Sequence, residues 1–304
     1  MYSFSTCWNS HRHTDGRAML QEIRTLGFEY AELSHGIRIS LLPGIFQAVE
    51  AGEIKISTLH NFCPLPMGFV SAAPNAFQFT ARDARERDSA YRHTLKTLET
   101  AQRVKAGIVV LHMGSIEMKD YQDKLVDLLK RGLRESPKYE KICTEAVQKQ
   151  EEKKNAQVEL AGEALRRLIE QAESRGLRLG IENREGLEEI PLDRDFENFL
   201  RDFDSPTVGY WHDTGHAQIK QNLGFLHHAT HLDNLSPRLI GFHIHDVEFP
   251  ARDHRAPGTG TVDFAALRPL VKPEHVKVFE FSPSLPVDAV QAGVAHVRSL
   301  WGTE

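Results

Sequence analysis

The stretch AGEALRRLIEQAESRGLRLGIE, residues 161–182, contains the structural unit that decides the fold. Six apolar residues in its first part recur with the spacing of one helix face, at Ala161, Ala164, Leu165, Leu168, Ile169 and Ala172. Gly176 can end this helix, because glycine adopts the left-handed backbone conformation that often follows a helix. Residues 177–182 form a short and mainly apolar run, which is typical of a buried strand. The stretch therefore predicts a helix, a glycine and then a strand.

The same unit recurs along the chain. Near its beginning, Asp15 can cap a helix, Gly27 can end it, and an apolar strand follows from Tyr30. Eight strands are predicted in all, at residues 2–6, 30–34, 54–60, 108–113, 178–183, 208–213, 239–246 and 276–281. Strands that alternate with helices form a parallel sheet with right-handed crossovers, and eight such units suggest closure into a barrel. The predicted fold class is therefore α/β: a parallel (β/α)8 TIM barrel, with residues 1–304 as a single domain.

Two segments interrupt this regular alternation. Residues 61–81 contain three prolines and several apolar residues, which indicates a long ordered loop over the mouth of the barrel. Residues 115–158 are rich in Lys, Glu and Gln and predict an extra helical segment after strand four. A solvated charged face explains this composition better than a partner-binding element does. A doubly wound open sheet is the alternative fold, although no Gly-x-Gly-x-x-Gly motif follows the first strand.

Composition and charge limit the classes of partner. The chain has 304 residues, of which 40% are hydrophobic and 26% charged, and its formal net charge is −5. An acidic chain without a lysine-arginine block argues against a nucleic-acid partner held by many phosphate contacts. No apolar run approaches the roughly 18 residues of a membrane span, and the N-terminus lacks a signal-peptide pattern. Three widely spaced cysteines without a CxxC pair fit a reducing cytoplasm. The oligomeric state is left open, a homo-oligomer included.

Acidic residues and a histidine occupy equivalent positions at the ends of the last four predicted strands: Glu182, Asp213, His243 and Glu280. The carboxyl ends of the strands form the rim where a barrel carries its active site. Side-chain alternation places Glu280 on the same strand face as Val276 and Val278. Buried carboxylates that converge from adjacent strands repel one another unless a cation lies between them. The set therefore predicts a divalent-metal site.

Each residue of this set also has a structural explanation. A lone Glu at a strand end is more often a salt-bridge partner, and a lone His is more often a satisfied structural residue. A purely structural explanation would require four independent coincidences at equivalent positions, so the set as a whole favours the metal site. Its hard, oxygen-rich ligands suit Mn²⁺ or Mg²⁺, and Zn²⁺ or Co²⁺ is compatible with them. On strand seven, His245 is the alternative ligand to His243.

Further polar residues follow the same rim and are candidates for binding a substrate. His60 and His112 end strands three and four, His216 follows strand six, and His245 lies near the end of strand seven. After strand seven, His254 and Arg255 precede a Pro-Gly turn, where they could hold a substrate oxygen or phosphate.

With these residues in place, the chain resembles the xylose isomerase-like barrel superfamily, and most closely its sugar phosphate isomerase/epimerase branch. The resemblance spans nearly the whole chain. It is carried by Leu-His60-Asn, Val-Leu-His112-Met-Gly, Gly-Ile-Glu182-Asn183, Asp213-Thr-Gly-His216, His243-Ile-His245-Asp246, Pro257-Gly-Thr-Gly260 and Phe-Glu280-Phe. The motifs Asp-x-x-His and His-x-x-Asp, in this order, are its most specific part.

In ketose 3-epimerases of this family, residues from strands five to eight bind one metal, and two glutamates among them are the acid and the base. The resemblance implies the metal ligands Glu182, Asp213, His243 and Glu280. It also implies that Glu182 and Glu280 are catalytic and that His216 contacts substrate oxygens. The chain departs from the family at His245, where Lys is frequent, and at His254, which aligns with an Arg. These departures leave the sugar specificity open.

The predicted function is that of a divalent-metal-dependent isomerase or epimerase of a sugar, sugar phosphate or other small polyhydroxylated carbonyl compound. The reaction would pass through a metal-stabilised enediolate, with the two glutamates removing and returning the proton. The alternatives are an inosose-type dehydratase and a zinc phosphodiesterase that resembles endonuclease IV and acts on abasic DNA. The endonuclease IV ligand pattern can be laid over His60, His112, Glu182, Asp213, His216, His243, His254 and Glu280. However, the Asp expected two residues before His254 is Arg252.

Overall fold

The computed structural model describes residues 1–303, in which eight parallel strands close into a barrel. These residues contain ten strands: β1 (Tyr2–Ser5), β2 (Tyr30–Leu33), β3 (Lys55–His60), β4 (Ile108–Leu111), β5 (Arg178–Glu182), β6 (Val208–Asp213), β7 (Leu239–Ile244), β8 (Asp246–Glu248), β9 (Arg252–Arg255) and β10 (Val276–Phe279). All except β8 and β9 belong to the barrel, in the order β1-β10-β7-β6-β5-β4-β3-β2. The predicted (β/α)8 barrel is confirmed, with each strand within two residues of its predicted bounds, and the open-sheet alternative is wrong.

Helices connect the strands, and the extra helical segment predicted after β4 is confirmed. The helices are α1 (Gly16–Thr25), α2 (Leu42–Glu50), α3 (Ala84–Arg103), α4 (Gln122–Lys130), α5 (Pro137–Glu173), α6 (Phe196–Arg201), α7 (Thr214–Leu223), α8 (His228–Leu235), α9 (Phe264–Leu267) and α10 (Val287–Trp301). The extra segment is not solvated on all sides, because Leu125 and Leu128 of α4 and Tyr139 of α5 are buried. Within residues 1–303, no helix has both the length and the apolar character needed to cross a bilayer.

Two irregular segments lie at the C-terminal rim of the barrel. Residues 61–83 form neither helix nor strand, as predicted for a loop, and Val70, Ser71 and Ala72 line a cavity at the mouth. After β7 the chain forms the antiparallel hairpin β8-β9. This hairpin was not predicted, because Arg252–Arg255 is polar throughout and lacks the alternation of a half-buried strand.

A tryptophan fills the barrel interior below the polar rim. Trp211 is fully buried in a layer with Ile108, Val110, Ile240, Val276 and Val278. The indole has room because two neighbouring residues, Gly180 and Gly241, have no side chain. A Cβ atom added to Gly241 would lie 2.7 Å from Cη2 of Trp211, and one added to Gly180 would lie 3.2 Å from Cε3. The indole also packs edge-on against His243, with ring centroids 5.2 Å apart, so this layer supports the site above it.

We expect Gly241→Ala to lower the free energy of unfolding by about 1–3 kcal/mol, because overpacking a filled interior displaces side chains and backbone. Gly107→Ala is the matched control, since within residues 1–303 no atom other than those of Gly107 and its two chain neighbours lies within 4 Å of its Cβ position. Urea denaturation of the wild type and both variants measures the difference. Equal stability of the two variants would mean that the indole can move aside without cost.

Buried histidines form a hydrogen-bonded chain outside the barrel, between β6 and the helices α7 and α8. The Tyr210 hydroxyl lies 2.8 Å from Nδ1 of His212 and 3.2 Å from Nε2 of His231. Nε2 of His212 lies 2.9 Å from Nε2 of His228, whose Nδ1 donates to Oε1 of Gln218 at 3.1 Å. Because Nδ1 of His228 carries the proton, its Nε2 accepts a hydrogen bond from Nε2 of His212. All hydrogen bonds of this network can therefore form while the histidine rings are neutral.

These hydrogen-bonded histidines predict a loss of protein stability in acid. Burial, together with the neighbouring His231, lowers the pKa of His228 to about 3. The unfolded chain takes up a proton at this residue below about pH 6.5, whereas the folded chain does so only near pH 3. We expect His228 alone to remove about 2 kcal/mol of stability between about pH 6.5 and about pH 5. His228→Gln should flatten the pH dependence of urea unfolding, and an unchanged slope would contradict this account.

Candidate metal centre

The barrel brings together four predicted residues at the carboxyl ends of neighbouring strands: Glu182, Asp213, His243 and Glu280. The first two end β5 and β6, the third lies in β7, and the fourth directly follows β10. Each side chain offers one ligand atom, and these atoms all lie within 4.8 Å of one another. None of the four residues is more than 3% exposed. The grouping follows from the topology, because β5, β6, β7 and β10 are consecutive around the barrel.

One nitrogen of His243 faces an oxygen of each carboxylate. Its Nδ1 lies 2.6 Å from Oε1 of Glu182, 3.4 Å from Oε2 of Glu280 and 3.9 Å from Oδ2 of Asp213. Burial alone would lower the pKa of His243, but Glu280, Glu32 and Glu182 raise it well above its ordinary value. The carboxylates thus favour positive charge at the point where they converge. Three carboxylates and one imidazole form an oxygen-rich donor set that fits a divalent cation such as Mn²⁺ or Mg²⁺.

Asp213 is held in place from both sides. As the N-cap of α7, it accepts a hydrogen bond from the backbone N–H of His216 at 2.7 Å. The Asn183 side chain accepts from the backbone N–H of Asp213 at 2.7 Å and donates to its carbonyl at 3.0 Å. Burial alone would raise the pKa of Asp213, but His216 and His245 lower it well below its ordinary value. This carboxylate is therefore ionised and oriented toward the other ligands.

The two histidines from β3 and the end of β4 contact Glu182. Nε2 of His112 lies 2.7 Å from Oε2 of Glu182, and Nε2 of His60 lies 3.6 Å from the same oxygen. Both rings direct Nδ1 to an oxygen acceptor, which is the carbonyl of Asn61 for His60 and the side chain of Asn75 for His112. With Glu182 they form a second group whose donor atoms could hold a cation.

His216, His245 and His254 form a third such group beside Asp213. Burial alone would lower the pKa of His245, but Asp213, 3.0 Å from Nε2, raises it to about 9. The ring of His254 stacks on that of His245 with centroids 4.2 Å apart, and its Nδ1 donates to the carbonyl of Glu280 at 3.0 Å. His254 has a φ of 51°, which is uncommon for a residue with a side chain.

A cavity of about 540 Å³ opens at the mouth of the barrel beside these residues. Of the predicted site residues, Glu280, His254 and Arg255 line it, and the others lie outside its lining. Nε of Arg255 lies 3.6 Å from Glu248, so this guanidinium pairs with the hairpin and not with Glu280. Arg38, which was not predicted, also lines the cavity.

Two charged residues of the site were missed by the sequence predictions. Arg184 is buried, and it donates from Nη1 to Glu182 and from Nε to Glu189, both at 3.1 Å. Glu32 in β2 is fully buried, and its Oε2 lies 3.0 Å from Nε2 of His243. The sequence did contain a signal for each residue. Arg184 directly follows the motif that ends β5, and Glu32 is a carboxylate within a short strand that is otherwise mostly apolar.

Solved structures with this architecture are similar along nearly their full length. A D-tagatose 3-epimerase-like protein is 16% identical, with a TM-score of 0.68 and coverage of 98% of both chains. A 3-keto-D-glucoside 4-epimerase from E. coli is 14% identical, with a TM-score of 0.68 and the same coverage of 98%. A D-psicose 3-epimerase from Clostridium cellulolyticum H10, solved with D-tagatose, is 14% identical, with a TM-score of 0.67 and coverage of 99% of both chains. At these identities the likeness shows a shared fold.

Sequence comparison points to the same architecture. No curated protein sequence matches the chain significantly. Residues 20–300, however, match the sequence profile of the family described as "Xylose isomerase-like TIM barrel". This range contains every barrel strand except β1, together with all four residues of the converging group. Because the match covers most of the chain and the strands close into the barrel that it describes, the protein belongs to the xylose isomerase-like TIM barrel family.

Proposed function

We propose that this protein is a divalent-metal-dependent isomerase or epimerase that acts on a small sugar or a related keto-polyol. The observation that carries the proposal is the convergence of three buried carboxylates with His243 beside a cavity that Glu280 lines. The cavity volume of about 540 Å³ suits a small molecule. Similar solved structures include proteins named as sugar epimerases, which agrees with this substrate class.

Glu280 and Glu182 are the residues proposed to exchange a proton with the substrate. A divalent cation held by this donor set would supply Lewis acidity, which makes the hydrogen on a carbon next to a carbonyl more acidic. Glu280 lines the cavity, so its carboxylate can remove that proton. Glu182 lies three strands away across the converging group, so once it has taken up a proton it can deliver that proton to the opposite face of the carbon, while Glu280 releases the proton it removed to solvent through the cavity. Removal from one face and delivery to the other inverts the configuration, which is an epimerisation.

The surroundings of Glu182 support a division of roles between the two glutamates. His243 at 2.6 Å, His112 at 2.7 Å and Arg184 at 3.1 Å all contact the carboxylate of Glu182. Burial alone would raise the pKa of Glu182, but His243 and the other partners lower it well below its ordinary value. A carboxylate with a low pKa is a weak base. Glu280 lines the cavity, whereas Glu182 lies outside its lining and is held by these three partners, so we propose that Glu280 removes the substrate proton.

The remaining predicted residues divide into two proposed roles. His254 and Arg255 line the cavity and can donate hydrogen bonds to substrate hydroxyl or phosphate oxygens, with His216 and His245 behind them. For His60 and His112, which the sequence predicts as substrate contacts, we propose a role in orienting Glu182, which both rings approach. Under this proposal, one set of residues would determine substrate specificity and another set would position the carboxylate of Glu182.

Phosphodiester hydrolysis at abasic sites in DNA is a second candidate. The observation in its favour is that the described residues contain three further donor groups besides the first: His60-His112-Glu182, His216-His245-His254 and Glu185-His216-Asp253. Several neighbouring cations would suit a phosphate ester. We rank this reaction second because a net charge of −5 opposes extended contact with a phosphate backbone.

Divalent-metal binding is expected to depend on the converging carboxylates. Glu182→Gln and Asp213→Asn should each weaken binding by at least about 10-fold, since changes in outer-sphere partners alone typically cost 10–100-fold. Glu22→Gln is the control, because Glu22 is a carboxylate that contacts His13 but belongs to none of the donor groups. Elemental analysis and titration with Mn²⁺ provide the measurement. Equal metal content in the wild type and both ligand variants would refute the site.

Glu280→Gln keeps the size of the side chain and one ligand oxygen but removes the base. We expect the variant to fold, to retain part of its metal affinity, and to lose about 10²–10⁴-fold in rate. The rate is measured as exchange of substrate hydrogen with deuterated water over a panel of ketoses, alongside the melting temperature and metal content of the same sample. Near-normal exchange in a folded, metal-loaded variant would exclude Glu280 as the base.

Product analysis in the same experiment separates the alternative reactions. Exchange accompanied by loss of water from the substrate would identify a dehydratase. Cleavage of abasic-site DNA, with no exchange on any sugar tested, would replace the proposed function with the second candidate.

A further inference from the structure

Glu32 is a buried carboxylate in β2 that the proposed chemistry does not use. Its Oε2 accepts a hydrogen bond from the Thr58 hydroxyl at 2.8 Å and lies 3.0 Å from Nε2 of His243. Its Oε1 has no hydrogen-bond partner within residues 1–303, and the residue is fully buried. A buried carboxylate with one unsatisfied oxygen is costly, and an apolar side chain would fill the same space more cheaply. The position therefore calls for a specific role.

His243 lies between two carboxylates, one at each ring nitrogen. Its Nε2 faces Glu32 at 3.0 Å, and its Nδ1 faces Glu182 at 2.6 Å. A neutral imidazole carries one N–H, and only the nitrogen without a proton can coordinate a metal. Glu32 lies outside the converging ligand group, whereas Nδ1 of His243 faces an oxygen of every carboxylate in that group. The two nitrogens therefore have different surroundings and suit different roles.

We infer that Glu32 is a positioning residue that keeps the proton of His243 on Nε2 and so leaves Nδ1 free to bind the divalent cation. This inference rests on the metal site of the proposed function. Carboxylates that accept the second N–H of a metal-bound histidine fix its tautomer and ring orientation and make it a more basic ligand. The hydrogen bond from Nε2 to Glu32 gives His243 such a partner.

The packing around His243 orients its ring plane but does not select its proton. His60 stacks on the ring with centroids 5.7 Å apart and 12° between the planes, and Trp211 contacts it edge-on. These contacts are compatible with either tautomer, so the selection depends on the carboxylates at the two nitrogens. A cation at Nδ1 would take the place of a proton facing Glu182, and Glu32 is then the acceptor that holds the proton on Nε2. Thr58 faces Glu32 across the β2-β3 pair and donates to the same oxygen that His243 approaches. The pairing of two strands outside the ligand group thus sets the chemistry of a ligand on β7.

The first test compares the Mn²⁺ affinity of the full-length wild type with that of Glu32→Met and Glu32→Gln, by competition with a chelating dye. Glu32→Met removes the acceptor, and we expect the affinity to fall about 10–100-fold. Glu32→Gln keeps an acceptor oxygen without the charge and should lose less. Glu22→Gln is the matched control, because Glu22 also contacts a histidine, His13 at 2.7 Å, but belongs to none of the donor groups. It should bind Mn²⁺ like the wild type.

A second readout follows the proton itself. Long-range proton–nitrogen NMR spectra distinguish the two histidine tautomers, and we expect Zn²⁺-loaded wild type and Glu32→Gln to show His243 protonated at Nε2. This pattern should be lost in Glu32→Met. A metal-loaded wild type protonated at Nδ1 would overturn the inference even if neither variant folds.

The outcomes separate this inference from the proposed function. Equal Mn²⁺ affinity in the wild type and Glu32→Met would overturn the role of Glu32 and leave the metal site standing. A wild type that binds no divalent metal would overturn the proposed function, and the role of Glu32 with it. A loss of affinity in Glu32→Met that exceeds the loss in Glu32→Gln, with Glu22→Gln unchanged, would support both.

Discussion

Carboxylates that converge inside a protein repel one another, and the C-terminal rim of this barrel is organised around that repulsion. Three of them meet at the ends of β5, β6 and β10, and each is at most 3% exposed. Groups that carry a proton or a positive charge lie against them at 2.6–3.1 Å: His243 and Arg184 at Glu182, and His245 at Asp213. The negative charge that is costly to bury is also what favours a divalent cation over a neutral ligand at this point.

The barrel could be predicted because of how its strands are buried. Strands of a closed parallel sheet are covered on both faces, so each appears in the sequence as a short apolar run between helical patterns. Elements without that burial could not be predicted in the same way. The hairpin β8-β9 consists largely of polar residues, and α5 joins a charged segment to an amphipathic one without a break. A helix keeps the same backbone conformation where it passes from an exposed to a buried environment. The change in composition therefore does not show where the helix begins.

The candidate site could be predicted as a set of strand ends but not as a set of contacts. Parallel strands place their carboxyl ends at one rim, which is why Glu182, Asp213, His243 and Glu280 could be grouped from the sequence. Which groups touch depends on register and ring orientation. The pairing of β2 with β3 shifts between Ala31 and Glu32, which interrupts the alternation that assigns residues to faces. The direction of Glu32 could therefore not be derived from β2 alone.

The layer around Trp211 has a kinetic consequence. Trp211 and the aliphatic side chains beside it fill the barrel interior below His243, while the cavity at Glu280 opens at the mouth. A molecule that reaches Glu280 must therefore depart through the opening by which it arrived. If the substrate and product are epimers, they have the same size and the same functional groups, so they compete for one passage and one set of contacts. Both directions of the reaction would then use the same passage and the same contacts, so accumulating product would slow its own formation.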